Sequence, residues 1–314
     1  MTSDPSNTAS PWHSGERSLH ERMGIATHME TIGRRVIRDH MPDQHRQFYA
    51  QLPFIVAGAV DAHGHVWATL IEGAPGFMHS PDSRTLELHA LPGLGDPVRA
   101  LVVEGAALGL LGIEPHTRRR NRLNGRVLAA DAGGFALQVE QSFGNCPKYI
   151  QQRHVSLAHP PSQNFEGAVE SLTALDAEAR ICIQAADTFF VASAHLGDAE
   201  HLGQSVDVSH RGGQPGFVRI DGDTLHIPDF AGNRHFNTFG NFLVNPQAGL
   251  VFVDFSTGDL LQLSGRAEVV FDGAPLDVFQ GAERMWTFQV ERVVRRRAAL
   301  SLRCDLSERS PSMV

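Results

Sequence analysis

Residues 109–126, GLLGIEPHTRRRNRLNGR, recur in diverged form at 249–266 as GLVFVDFSTGDLLQLSGR. A constant offset of 140 aligns Gly109 with Gly249, Leu110 with Leu250, Thr117 with Thr257, Leu123 with Leu263, Gly125 with Gly265 and Arg126 with Arg266. The same offset aligns Pro75-Gly76-Phe77 with Pro215-Gly216-Phe217. Upstream, FIVAGA at 54–59 matches FFVASA at 189–194 at an offset of 135, so the second copy carries a five-residue insertion. Several matches in one order imply a duplicated domain, and whatever one copy folds into the other must also form.

Each copy reads as mostly strand. Phe54–Val60, a turn at Asp61-Ala62-His63-Gly64, and His65–Leu70 form one hairpin; Leu250–Phe255, a turn at Ser256–Asp259, and Leu260–Leu263 form another. Short strands separated by turns predict a small antiparallel barrel in each copy, because closure removes exposed sheet edges. The expected fold is mainly β with flanking helices, as two tandem split barrels. A tail and an amphipathic helix near Glu16–Asp39, with Leu19, Met23, Ile32 and Val36 on one stripe, occupy 1–41. The first barrel then spans 42–158, a linker 159–170 and the second barrel 171–314. Short helices are expected at Pro42–Gln51 and at about Ala174–Ala186, one ahead of each copy.

Charge narrows the function. A net charge of −8 argues against a general nucleic-acid binder, which needs a basic face. Lys148 is the sole lysine among 27 basic residues, so any anion site is built from Arg, backbone N–H groups or that one ammonium. No apolar run reaches membrane-helix length, and MTSDPSNTASPWHSGE has no signal-peptide pattern, so a cytoplasmic location is expected. Cys146, Cys182 and Cys304 form neither a disulfide framework nor a zinc spacing.

The second copy contains DVSHRGGQPGFVRI at 207–220 and LHIPDFAGNRHFNTFGNFLVNPQAGLVFVD at 225–254, and the first ends in FGNCPKYIQQR at 143–153. Together these resemble the pyridoxamine 5'-phosphate oxidase-related FMN-binding split-barrel family. PWHSGERSLHERMG, at the start, resembles the subgroup in which two barrels are fused. The resemblance spans roughly residues 11–305. It implies FMN, in preference to FAD, bound between two barrels that form a pseudo-dimer within one chain, with a homodimer also open. It implies phosphate contacts from Arg211, Asn233, Arg234, Thr238 and Asn241, and a flavin edge faced by Asp207 and Ser209, which alternation puts on one side of a strand. Phe217, Pro228 and Asp229 form the adjacent walls, and Lys148, with Trp67, is donated across the cleft from the first barrel.

The implied activity is a flavin oxidoreductase acting on a small molecule or oxygen. No GxGxxG follows a strand and no four-cysteine cluster is present, so a diffusing nicotinamide or a separate reductase is the expected donor. A non-catalytic flavin or haem-type carrier or sensor is the alternative; no catalytic side chain is assigned and no metal is expected. The first copy has Ile71 where the second has Arg211, so a second, decayed cleft is expected. Arg118–Arg122 falls at a hairpin tip of the repeat, where solvation is the default, and His63 and His65 lack a third ligand.

Overall fold

The computed structural model describes residues 9–161, 167–198, 201, 203–271 and 279–312. Part of the expected linker, 162–166, lies outside them, as do residues 1–8. The first copy supplies β1 (Phe54–Val60), β2 (Val66–Glu72), β3 (Met78–His79), β4 (Thr85–Leu88), β5 (Ala107–Glu114), β6 (Arg119–Asp131) and β7 (Gly134–Gly144). They form one antiparallel sheet in the order β2-β1-β5-β6-β7-β4-β3. Next come β8 (Gln152–Leu157) and β9 (Val169–Leu172). The second copy supplies β10 (Thr188–His195), β11 (Ser205–Gly212), β12 (Arg219–Asp221), β13 (Thr224–Phe230), β14 (Gln247–Asp254), β15 (Asp259–Val270) and β16 (Ala282–Arg296). Their order, β11-β10-β14-β15-β16-β13-β12, repeats the first connectivity strand for strand. The fold is therefore two tandem antiparallel split barrels, and β5 and β6 start 140 residues before β14 and β15, as the repeat spacing requires. A last strand, β17 (Leu302–Glu308), returns to pair with β8.

Among the described residues, five α-helices flank the sheets: α1 (Ser14–Arg22), α2 (Ala26–Val36), α3 (Asp43–Gln51), α4 (Ala177–Ala185) and α5 (Asn237–Val244). The single helix expected near Glu16–Asp39 is in fact α1 and α2. Gly24 adopts φ +67°, its N–H donates to the Glu21 carbonyl, and the Ile25 N–H donates to that of His20. This is a Schellman stop, which glycine enters without a Cβ penalty. Leu19 is buried as expected, whereas Met23 is exposed.

Each barrel has its own apolar core, centred on Phe48, Leu86, Leu110 and Leu137 in the first and on Phe189, Phe252, Trp286 and Phe288 in the second. A third cluster is shared, with Val56, Val66 and Leu70 packing with Phe190, Val206, Val208 and Val251. The barrels meet closely enough there to require glycine. A Cβ on Gly109 would stand 2.4 Å from the Val206 carbonyl oxygen, and one on its repeat mate Gly249 would stand 2.6 Å from that of Val66. Val66 and Val206 are themselves 140 residues apart, so the two contacts are images of one another.

Candidate functional site

A cleft opens where the two barrels join, enclosing about 110 Å³. The second barrel contributes Ser209 and Arg211 from β11, Phe217, Pro228 and Asp229 near β13, Asn233 and Arg234 from the following loop, and Thr238 from α5. From across the join come Lys148 and Tyr149, together with Arg120 and Arg122 of β6. Nine of the eleven residues expected to contact a cofactor thus line one cavity.

The other two, Asp207 and Asn241, stand behind its wall. Asp207 accepts hydrogen bonds from Arg122 Nη1 (3.1 Å), Asn124 Nδ2 (2.8 Å) and Asn241 Nδ2 (2.9 Å), and Asn241 also donates to Ser193 Oγ (2.9 Å). Their polar atoms face one another and hold the wall together. Trp67 is likewise absent from the cleft, because its ring is in the first barrel's core and its indole nitrogen is 3.4 Å from Asp61.

Sequence reasoning missed the two arginines. The turn after β5 is the short 3-10 segment Pro115–Thr117 followed by Arg118 at φ 55°, so β6 has already begun at Arg119 and the solvated-tip reading of this cluster is corrected. Arg120 and Arg122, two apart on a strand, point to the same side, and that side faces the other barrel. Arg122 is buried and donates from Nε to the Val208 carbonyl (3.1 Å), from Nη1 to Asp207 and from Nη2 to Ser209 Oγ (2.5 Å). Thr238 Oγ1 extends this chain to Ser209 Oγ (2.9 Å). Arg120 donates only to main-chain oxygens, at Cys146 (2.8 Å) and His210 (3.5 Å). Burial, with repulsion from Arg122 and Arg211, lowers the Arg120 guanidinium to about 10.

Six cationic side chains line the cleft against one carboxylate, Asp229. Asp229 is shared by Arg211 (Nη1–Oδ1 2.6 Å) and Arg284 (Nε–Oδ2 3.0 Å). Burial raises its pKa, and the two guanidiniums oppose that rise. Arg284 also pairs with Glu283, and Lys148 approaches only the Ala231 carbonyl, at 3.5 Å. Even counting Asp207 and Glu283 behind the wall, cations outnumber carboxylates two to one, in a chain whose net charge is −8. Arg122, Arg211 and Arg284 are ion-paired, whereas Arg120 is half-buried and Lys148 and Arg234 are exposed, so the surplus positive charge faces the cleft and its mouth.

The loop between β13 and α5 is held in an unusual backbone shape. Arg234 and Phe236, neither a glycine, adopt φ 60° and 59°, conformations that cost on the order of 1–3 kcal/mol each unless the surroundings impose them. The N-terminal helices impose them. His20 Nε2 lies 3.0 Å from the Arg234 carbonyl, which can only accept, so that nitrogen carries the proton. Glu16 accepts from Asn237 Nδ2 (2.5 Å) and from the His13 N–H (3.1 Å). Helix α1 lies so close to α5 that a Cβ on Gly15 would be 2.1 Å from the Gly240 carbonyl oxygen. The expected N-terminal segment is therefore part of the site's scaffold. No local signal marks this, since His20 and Arg234 are 214 residues apart.

The remaining signals serve the fold. His65 Nδ1 lies 3.0 Å from Asp61, and Arg292 Nε lies 3.1 Å from His65 Nε2. Arg295 and Arg297 pair with Glu170 and Glu178, tying β9 and α4 to the second barrel. Among the described residues no helix is long and apolar enough to cross a membrane, and no cluster of His, Cys, Asp or Glu has the geometry to hold a metal ion.

Against known proteins, residues 175–306 match the family model described as pyridoxamine 5'-phosphate oxidase. Comparison with curated proteins gives no match. Among solved structures, HupZ of Group A Streptococcus is 16% identical, with 43% of this chain and 98% of that one aligned and a TM-score of 0.30. A putative pyridoxamine 5'-phosphate oxidase of Lactobacillus delbrueckii is 16% identical, aligning 38% of this chain and 93% of that one at a TM-score of 0.29. An FAD-binding protein of Mesorhizobium loti is 15% identical, aligning 41% and 97% at a TM-score of 0.28. The match to the pyridoxamine 5'-phosphate oxidase family model thus falls on the second barrel.

Proposed function

We propose that this chain is an FMN-binding flavoprotein, with the FMN phosphate held among Arg120, Arg211, Arg234 and Lys148, and that it acts as an oxidoreductase toward oxygen or a small acceptor. The observation that carries this reading is the surplus of cations in the cleft, above all Arg120, which has no carboxylate partner among the described residues. A phosphate with close to two negative charges supplies what they lack. Arg211 can turn to it without orphaning Asp229, because Arg284 keeps its own contact with that carboxylate. A hydroxyl donor stands ready at Ser209, whose oxygen already accepts from Arg122 and Thr238.

The enclosed volume is below the roughly 300–1,000 Å³ of pockets that engulf a small molecule. In this reading the cleft takes the anionic end, and the flat ring lies along the rim. Apolar surface for it is offered by Phe217, Pro228 and the stacked pair Tyr149–Phe230, whose centroids are 5.5 Å apart. FMN fits this arrangement better than FAD, which has a second phosphate and an adenosine to place. Bound FMN supplies hydride and electron transfer; the protein's part is to hold, orient and polarise it. The electron donor in this reading is a nicotinamide or a separate reductase.

The test is FMN titration by fluorescence quenching, followed by NADH or NADPH addition under a visible spectrum. Charge-assisted hydrogen bonds contribute roughly 1.5–3 kcal/mol each, so Arg120→Ala, Arg211→Ala and Arg234→Ala should each weaken FMN by about 10–150-fold. Equal affinity in the wild type and the triple variant refutes the site. Bound flavin that no reductant bleaches decides for a carrier or sensor, and a haem spectrum with no FMN uptake decides for a haem-type carrier.

A further inference from the structure

The duplication builds a second cleft, at the image of the first, from β2 and the segments packed on it. Its framework is the same. A Cβ on Gly73 would strike the Phe77 ring at 2.3 Å, and a Cβ on Gly213 would strike the Phe217 ring at 2.3 Å. Gly73 donates to the Pro53 carbonyl at 3.0 Å, as Gly213 does to that of Asp187. The cations, however, are gone. Ile71 stands for Arg211, Leu260 for Arg120 and Gln262 for Arg122, each 140 residues from its mate. Gln262 keeps the backbone bond, donating to the Ala68 carbonyl at 2.9 Å where Arg122 donates to Val208.

The charged groups that remain on the lining are engaged or peripheral. Arg296 is ion-paired at 2.7 Å to the fully buried Asp96, which also accepts from Thr69 and Gln262. Glu72 accepts the Ser301 and Leu302 N–H groups at 2.7 and 2.9 Å. His89 is exposed at the edge, 3.9 Å from Glu87. What is left is a cavity of about 410 Å³, nearly four times the first, walled by Ile71, Phe77, Leu91, Pro160 and Leu300. That volume lies within the range of small-molecule pockets, and its surface mixes these apolar side chains with polar groups that include Glu72, His89 and Arg296.

We infer that this second cleft is a separate binding site for an uncharged small molecule, so that the two halves of the duplication hold ligands of different charge. The inference rests on the repeat and the cavity, and it stands whichever anion the first cleft takes. Two dyes sharing one ring system test it: neutral N-phenyl-1-naphthylamine and its sulfonated relative 8-anilinonaphthalene-1-sulfonate, each titrated into the full chain by fluorescence. Ala74→Trp and Ala299→Trp place an indole into the second cleft from its rim, whereas Arg120→Glu alters only the first. The neutral dye should saturate at one equivalent, lose at least tenfold in affinity in both tryptophan variants, and keep its affinity in Arg120→Glu. It should also bind the second cleft more tightly than the sulfonate does. Absence of saturable binding by the neutral dye overturns the inference. So does binding that ignores both tryptophans, or binding abolished by Arg120→Glu.

Discussion

Replacing Arg122 tests whether the wall between the barrels is held by charge. Its guanidinium makes three directed bonds, to the Val208 carbonyl, Asp207 and Ser209, and lies 5.3 Å from the centre of the Phe143 ring. In Arg122→Leu, the Asp207 carboxylate is left buried with only the neutral amides of Asn124 and Asn241. Removing one partner of a buried pair costs about 3–5 kcal/mol. For 314 residues unfolding together at about 2.1 cal/mol/K per residue, that corresponds to a fall in Tm of roughly 5–8 °C.

Two companions separate the causes. Arg122→Gln copies the mate Gln262, keeps the backbone bond and loses the ion pair, so its Tm should lie between wild type and Arg122→Leu. Arg122→Leu/Asp207→Asn removes the stranded charge and should recover at least half of the loss. Calorimetry of the four proteins, with FMN absent, reads the result. A Tm for Arg122→Leu within about 1 °C of wild type, or a double variant no better than the single, would falsify the claim that this pair is a structural charge contact.

Two further outcomes follow from buried groups. Burial lowers His45 and His235 to about 4, with nearby arginines adding to the effect; the unfolded chain therefore takes up protons below pH 6.5 that the native state refuses, and stability is flat above about pH 6.5 and falls toward pH 4, by up to about 1.4 kcal/mol per unit per histidine. His45→Gln should flatten part of that slope in urea unfolding followed against pH; an unchanged slope refutes the assignment. At the barrel contact, Gly109→Ala or Gly249→Ala forces a methyl against a carbonyl oxygen and should cost about 1–3 kcal/mol, read as a lower urea midpoint; a midpoint equal to wild type at both positions shows the barrels do not need that closeness.

The barrels were legible because a repeat constrains strand register twice over: offsets of 140 and 135 placed the β1–β2 and β14–β15 hairpins before any packing was known. Nine site residues were legible because they belong to the second copy's own strands and loop, or to the segment holding Lys148. What stayed hidden depends on how the copies meet. Alternation puts Arg120 and Arg122 on one side of β6, but a single barrel's pattern does not say that this side faces another barrel instead of water. The N-terminal helices were hidden for the same reason, since Glu16 and His20 act on residues more than 200 positions away.

The two clefts also show why duplication can produce chemical asymmetry without disturbing the fold. Both images of the site must satisfy a strand carbonyl, Val208 in one and Ala68 in the other, and Arg122 and Gln262 each do so. Beyond that bond the solutions diverge. In the first cleft the second barrel supplies the acid, Asp207, and the first supplies the base, Arg122. In the second cleft the first barrel supplies the acid, Asp96, and the second supplies the base, Arg296. Each pair is buried and crosses between barrels, so each penalises separation of the halves. Substituting Arg at position 262 would therefore not convert the second cleft into the first, because the new guanidinium would arrive beside Arg296 with only Asp96 to share. Charge at this position is a property of the pair of barrels, which is why one half can gather cations while its twin carries Ile71, Leu260 and Gln262 in their places.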